Sequence, residues 1–287
     1  MSMGIYYDIT NPDASYEWLH SILNIKEGNF ISDYVLECNN DFDVFFEKHL
    51  DEIEQMDINQ LELVVIHVTT NGNDCAEIRK NGFRDLKRVL QEKTELNMFL
   101  SERGISFDIP SKVMYINGKT FDADYEKCKD LDRADEKAVA LHKIGYKIYY
   151  DYQVNGFFFC RDIYNYGTIH RAPEFLFTLS EFGQETAGID DAWEEITRPY
   201  VVKYRAKIAD FEYFTFYESE EKYLQDYHNK WLGLKRWLLQ KAVDSAFSDS
   251  ASEIFAYMKQ GRIIEPGKIL DCVPAEQWRK DVFRYYK

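Results

Sequence analysis

His67 and Thr69 close an apolar, β-branched run, Leu61-Glu-Leu-Val-Val-Ile-His67-Val-Thr69. Residues two apart on a strand point to one face, so an imidazole and a hydroxyl stand side by side. Asn71-Gly-Asn-Asp74 follows as a turn and helix N-cap, and Gly82 closes a short helix over Cys75–Asn81. A strand end with such neighbours can cradle a ribose hydroxyl and a phosphate or amide. The plainer alternative is a structural histidine, hydrogen-bonded at a strand end. At the far end of the chain, Glu253 follows Ser248, Ser250 and Ser252 and heads the apolar run Ile254-Phe-Ala-Tyr-Met258. Taken alone, a Glu after a serine-rich turn is a solvated residue.

Two further groups carry charge next to aromatic or helical elements. Ile169-His170-Arg171-Ala-Pro173-Glu174 places basic groups before a helix N-terminus, where an anion or the nearby Glu174 or Asp162 would satisfy them. Lys230, Lys235, Arg236 and Lys241 interleave with Trp231 and Trp237, which reads as a nucleic-acid surface or as a solvated face over core tryptophans.

The elements that must position these groups follow from periodicity. Residues 12–58 read mainly as helix, from Trp18, Leu19, Ile22 and Leu23 and then Val44, Phe45, Leu50 and Ile53. Residues 86–103 read as one helix, and 112–123 as a hairpin turning at Asn117-Gly118. A charged helix is expected over Asp130–Tyr146 and a short strand over Gly156–Cys160. Pro173–Phe182 opens a helix. Strands are expected at Tyr200–Ala206 and Glu212–Tyr217, then one long helix over Glu220–Phe247. Glu253–Met258 and Lys268–Val273 are expected to pair as the closing strands. Helices and strands do not alternate regularly, so the fold class is α+β.

Composition narrows the function classes. The chain has 287 residues, 45% of them hydrophobic and 30% charged, which excludes wholesale disorder. Net charge is −15. Residues 1–60 carry 13 acidic and 2 basic side chains, a net of −11, leaving −4 for the remainder. The acidity that argues against nucleic acid therefore belongs mostly to one segment. The five cysteines are scattered without a CxxC, as expected of reduced thiols in a cytoplasmic protein and not of a zinc site. Neither a signal peptide nor an apolar run long enough for a membrane helix is read in the sequence, so no membrane partner is expected.

The pattern Val-Ile-His67-Val-Thr69-Thr-x4-Cys-x2-Ile78-x3-Gly82-Phe83 resembles the first motif of the ADP-ribosyltransferase superfamily, in particular its DarT-type, nucleic-acid-targeting branch. Ser250-Ala-Ser-Glu253-Ile-Phe-Ala-Tyr-Met-Lys-x4-Ile264-x4-Lys268-Ile-Leu resembles the last motif of that superfamily. Asn155-Gly-Phe157-Phe158-Phe159-Cys160-Arg161-Asp-Ile-Tyr164 is similar to the stretch where an aromatic strand precedes a basic residue. The resemblance covers residues 61–84 and 250–272, and 155–217 more loosely. It implies a core of two small packed sheets over residues 61–287, with a helical N-terminal segment at 1–60 and an insertion at about 85–150.

The resemblance also implies roles. NAD is the co-substrate, His67 and Thr69 hold its ribose and nicotinamide end, and Glu253 is catalytic. A carboxylate suits that task because leaving of nicotinamide develops an oxocarbenium ion. Phe158 or Tyr164 would stack on nicotinamide and Arg161 would reach a phosphate or the acceptor. Equally, Phe157 and Phe159 pack one side of a buried strand and Phe158 the other. Ala251 stands where relatives often carry Gln or Glu, which argues against arginine-type protein acceptors. The expected activity is mono-ADP-ribosylation of a macromolecule, nucleic acid ahead of protein, by a toxin or phage-defence effector that an antitoxin would hold. Two alternatives remain: an NAD glycohydrolase using the same residues, and a non-catalytic module whose acidic residues 1–60 grip a basic protein partner.

Overall fold

A computed structural model of the chain describes residues 6–25, 29–128, 135–247 and 253–286. Ser250–Ser252 of the last motif and the first residues of the expected helix at 130 lie outside them. The fold is mixed α/β with two small antiparallel sheets.

The N-terminal part forms α1 (Pro12–Leu23), α2 (Asn29–Ile31) running into a π-helical turn, α3 (Phe42–Lys48) and α4 (Leu50–Glu54). Strand β1 (Glu62–Asn71) leads to α5 (Ala76–Asn81), α6 (Leu86–Gln91) and α7 (Glu95–Glu102). Then come β2 (Ile105–Asp108), β3 (Val113–Ile116), β4 (Lys119–Asp122) and α8 (Glu136–Tyr149). After β5 (Gly156–Phe159) follow α9 (Glu174–Ser180), α10 (Ile189–Glu194) and β6 (Arg198–Lys207). Helices α11 (Glu220–His228) and α12 (Leu232–Phe247) precede β7 (Ile254–Ala256), β8 (Ile269–Pro274) and α13 (Ala275–Phe283).

The larger sheet has the order β7-β5-β1-β6-β8, all antiparallel, and β1 and β6 are in register from Glu62↔Lys207 to Asn71↔Arg198. Alternation sends Leu63 and Val65 to one face and Ile66 and Val68 to the other. On the first face they pack with Trp18, Leu19, Phe45, Tyr204 and Leu238. On the second, Ile66, Val68, Phe157 and Val201 pack against Ala275, Trp278 and Val282 of α13. The acidic N-terminal part is therefore built into the main core and is no separate appendage. Tyr7 bridges Leu63 in parallel, its hydroxyl donates to Leu238 O at 3.1 Å, and Lys235 Nζ donates to Glu54 O at 2.8 Å.

The smaller sheet, β2-β3-β4, is buried with α6–α10 in a second core running from Leu90 to Trp193. Among the described residues no strand of the larger sheet contributes to that core, so each sheet has its own. The second core thus extends past residue 150, the expected end of the insertion.

Four expectations need correction. The helix over 86–103 is split, because Asp85 and Thr94 each cap a new N-terminus, accepting from Arg88 N and Asn97 N. The helix over 220–247 breaks where Lys230 and Trp231 take left-handed φ values of 55° and 63°. There Asp226 accepts from Gly233 N at 2.7 Å and Leu234 N at 2.8 Å, capping α12. The stretch 212–217 is a 3-10 turn at Tyr213–Thr215 and no strand, since Glu212 N and Thr215 Oγ1 both donate to Tyr257 O and take the chain across the end of β7. Finally, β7 and β8 do not pair. They occupy opposite edges, because the segment between them is pinned by a bridge from Ile264 to Phe83.

The basic stripe on α12 is not a free cationic face. Arg236 ion-pairs with Asp43 and lies over Phe42 and Phe46, Lys241 pairs with Asp244, and Trp237 packs on Phe158 and Phe216.

Candidate active-site cleft

β1 is longer than its neighbour on one side. Its register with β5 is Ile66↔Phe157, whereas its pairing with β6 runs on to Asn71. The backbone direction follows from two bonds at the other end of β1: Tyr7 N donates to Glu62 O, and Val64 N donates to Tyr7 O. Even-numbered residues thus turn their amides away from β6, and alternation turns the N–H and C=O of Val68 and Thr70 toward the gap beside β5.

A cavity of about 450 Å³ fills that gap, a size that suits a small-molecule site. His67 and Thr69 line one side of it, and Phe157, Tyr166, Phe255 and Tyr257 form an aromatic wall. The ring centroids of Phe157 lie 4.9 Å from Tyr166 and 5.3 Å from Phe255.

His67 is held in one tautomer. Its Nδ1 lies 2.5 Å from Asn155 O, and a carbonyl only accepts, so Nδ1 carries the proton and Nε2 is a bare acceptor. Asn155 is fixed in turn by Met258 N, which donates to its Oδ1 at 3.0 Å. The edge of the Phe83 ring, 4.6 Å away, covers the imidazole. Burial lowers the His67 pKa to about 4, outweighing the opposing bond to Asn155. A histidine depressed below its unfolded value binds its proton more weakly in the fold, so stability is complete above pH 6.5 and is lost as pH falls toward 4. Between pH 7 and pH 5 this residue alone is expected to cost about 2 kcal/mol. Urea unfolding of wild type and His67→Asn at both values tests it. The variant should lose less stability on acidification, and equal losses would refute the assignment.

Charged groups sit farther along the wall. Glu95 accepts from Gly72 N at 2.9 Å and Asn73 Nδ2 at 3.1 Å, and burial raises its pKa. Arg84 ion-pairs with Glu92 at 3.5 Å, yet its Nε and Nη1 are buried without a hydrogen bond. Gln153 Oε1 and Asn73 Oδ1, also on the wall, are likewise without one. Among the described residues no cluster of His, Cys, Asp and Glu could hold a metal ion.

Not all the residues expected at the site meet here. Phe158 points to the face opposite Phe157 and is fully buried in the main core, against Tyr7, Phe211, Phe216 and Trp237. Its neighbour Phe157 stands in the cavity instead. Arg161 and Tyr164 lie past the end of β5 and outside the wall, with the Tyr164 ring beside His170 and Arg279. Glu253 is exposed just ahead of β7 and does not line the cavity, although Phe255, two residues on, does. Its charge reaches Cys160, whose thiol is pushed up to about 12 by burial first and Glu253 second. Arg171 is salt-bridged to Glu194 and Asp191, neither of the partners expected from sequence.

Compared with known proteins, the chain matches no family model, and no curated protein or solved structure aligns with it significantly. Its site is therefore read from geometry. Phe157, Tyr166, Tyr257, Arg84 and Glu95 all went unassigned in the sequence. Arg84 had a signal, since it directly follows Gly82-Phe83, whereas Glu95 had none. Among the described residues no helix is long and apolar enough to cross a membrane.

Proposed function

We propose that this cleft binds NAD, and that the chain breaks the nicotinamide–ribosyl bond and passes ADP-ribose to a macromolecular acceptor. The observation that carries this reading is the open edge of β1: an N–H and a C=O of Val68 turned into an aromatic cavity beside a neutral imidazole. Such an edge is complementary to a flat aromatic carboxamide, which donates through its NH2 and accepts through its oxygen. His67 Nε2 and the Thr69 hydroxyl suit ribose hydroxyls, and Nη1 of Arg84, which makes no hydrogen bond, suits a phosphate. NAD supplies a ribosyl carbon already activated by a cationic leaving group. Glu253, exposed just ahead of β7, is the carboxylate that would steady positive charge at that carbon and take the acceptor's proton as the new bond forms.

The reading is tested by incubating the chain with NAD labelled in its adenylate phosphate, alone and with DNA, RNA or protein. Release of nicotinamide with label on an acceptor supports transfer. Free ADP-ribose in every mixture makes the chain a glycohydrolase at the same site. No release of nicotinamide in any mixture overturns the proposal.

A further inference from the structure

The aromatic wall of the cleft does not stop at its mouth. Tyr257 lies 5.9 Å from Phe255 and 5.3 Å from Phe214, which lies 5.6 Å from Tyr213. Tyr213 continues to Tyr223 at 6.3 Å, Tyr223 to Trp231 at 5.4 Å, and Trp231 to Tyr227 at 5.3 Å. These rings form one unbroken surface track from the cavity across the 213–215 turn and α11. Phe214 is 52% exposed and Tyr227 59%, values far above those of core rings. The rings between them are half-buried, and a run of linked, partly exposed aromatics suits an interaction surface. Trp231 is presented by a left-handed backbone, φ 63°, at the break between α11 and α12.

Charge decides what the track fits. Residues 212–230 contain five carboxylates and two lysines, a net of −3; Asp226 is buried in the cap of α12 and Glu218 pairs with Lys222, which leaves Glu212, Glu220 and Glu221 to face a partner. Glu253 is exposed ahead of β7, four residues before Tyr257 in sequence. A polyanion laid here would meet repulsion throughout, whereas Arg and Lys side chains would find both ring faces and carboxylates. An extended backbone rich in Pro would also match an aromatic-lined surface at little entropic cost.

We infer that the Tyr257–Tyr227 track binds an extended, basic polypeptide segment and leads it into the His67 cleft. That the segment is also the acceptor rests on the proposed NAD chemistry; that it binds does not.

The binding test uses the full chain without NAD, following Trp fluorescence as a short peptide of alternating Arg and Pro is added. Oligothymidylate and oligouridylate of matched length are the competing probes. The peptide should bind, should weaken at high salt, and should bind about tenfold more weakly to the double variant Phe214→Ala/Tyr227→Ala. Both side chains are exposed and neither lines the cavity, and circular dichroism would verify the fold. Peptide binding unchanged by the variant, or an oligonucleotide bound more tightly than the peptide, would overturn the inference. Label from NAD on the peptide, reduced in the variant, would extend it to the acceptor. Absence of nicotinamide release would instead remove the NAD reading and leave the binding result standing.

Discussion

Replacing Glu253 by Gln is expected to reduce nicotinamide release by two to three orders of magnitude at saturating NAD, about 3–4 kcal/mol in the barrier. The substitution keeps size and hydrogen-bonding capacity and removes only the charge. Glu253 is exposed and precedes β7, so the fold should not change. His67→Ala is expected to act differently. On the proposed reading it removes a bare acceptor that would touch the sugar in ground and transition states alike, so KM should rise more than kcat falls. The two variants thus separate charge stabilisation by Glu253 from positioning in the cleft. Turnover in Glu253→Gln equal to wild type would take the carboxylate out of the mechanism. Glu95, the wall carboxylate whose pKa burial raises, would then be the one left to act.

Gly82→Ala should destabilise the fold by about 3–5 kcal/mol, enough to lower the melting temperature by roughly 10 °C. Gly82 has φ +79°, and a Cβ there would sit 2.1 Å from Ile264 O. That oxygen cannot retreat, because Phe83 N donates to it at 2.7 Å and Ile264 N returns a bond to Phe83 O at 3.0 Å. Phe83 in turn covers His67, so the same change should loosen the imidazole. Gly118 is the control: its φ is +78°, but nothing lies within 4 Å of its Cβ position. Gly118→Ala therefore reports backbone strain alone, about 1–2 kcal/mol. Equal melting temperatures for the two variants, measured calorimetrically, would show that the Ile264 contact gives way.

Sequence and structure agree where local chemistry decides. The β-branched run at 61–69 became β1, Asn117-Gly118 turned its hairpin with φ values of 49° and 78°, and Gly82 ended its helix. They part where a distant partner decides. Nothing near Asp226 says that its carboxylate will cap α12, or that Ile264 will seek out Phe83 and drive β7 and β8 to opposite edges. In β5 every residue is buried, so the alternation that would separate Phe157 from Phe158 has no polar side to mark it. His67 and Thr69 were legible because strand period alone sets them on one face. The rest of the wall comes from α5 to α10, β5, β7 and the loops between them, which only the fold gathers.

The clasp between the two ends of the main core has a consequence for how the chain is made. Tyr7, Trp18 and Leu63 share their core with Leu238 and Leu239, and the cavity wall closes only with Phe255 and Tyr257. A ribosome working at roughly 5–20 residues per second delivers Leu238 231 residues after Tyr7. The first 60 residues must wait for most of that time with their apolar side chains unpaired, a topology of high contact order that favours slow, late folding. The nascent chain consequently has no complete cleft until β7 has been made: whatever chemistry the site performs is withheld until Phe255 and Tyr257 are in place.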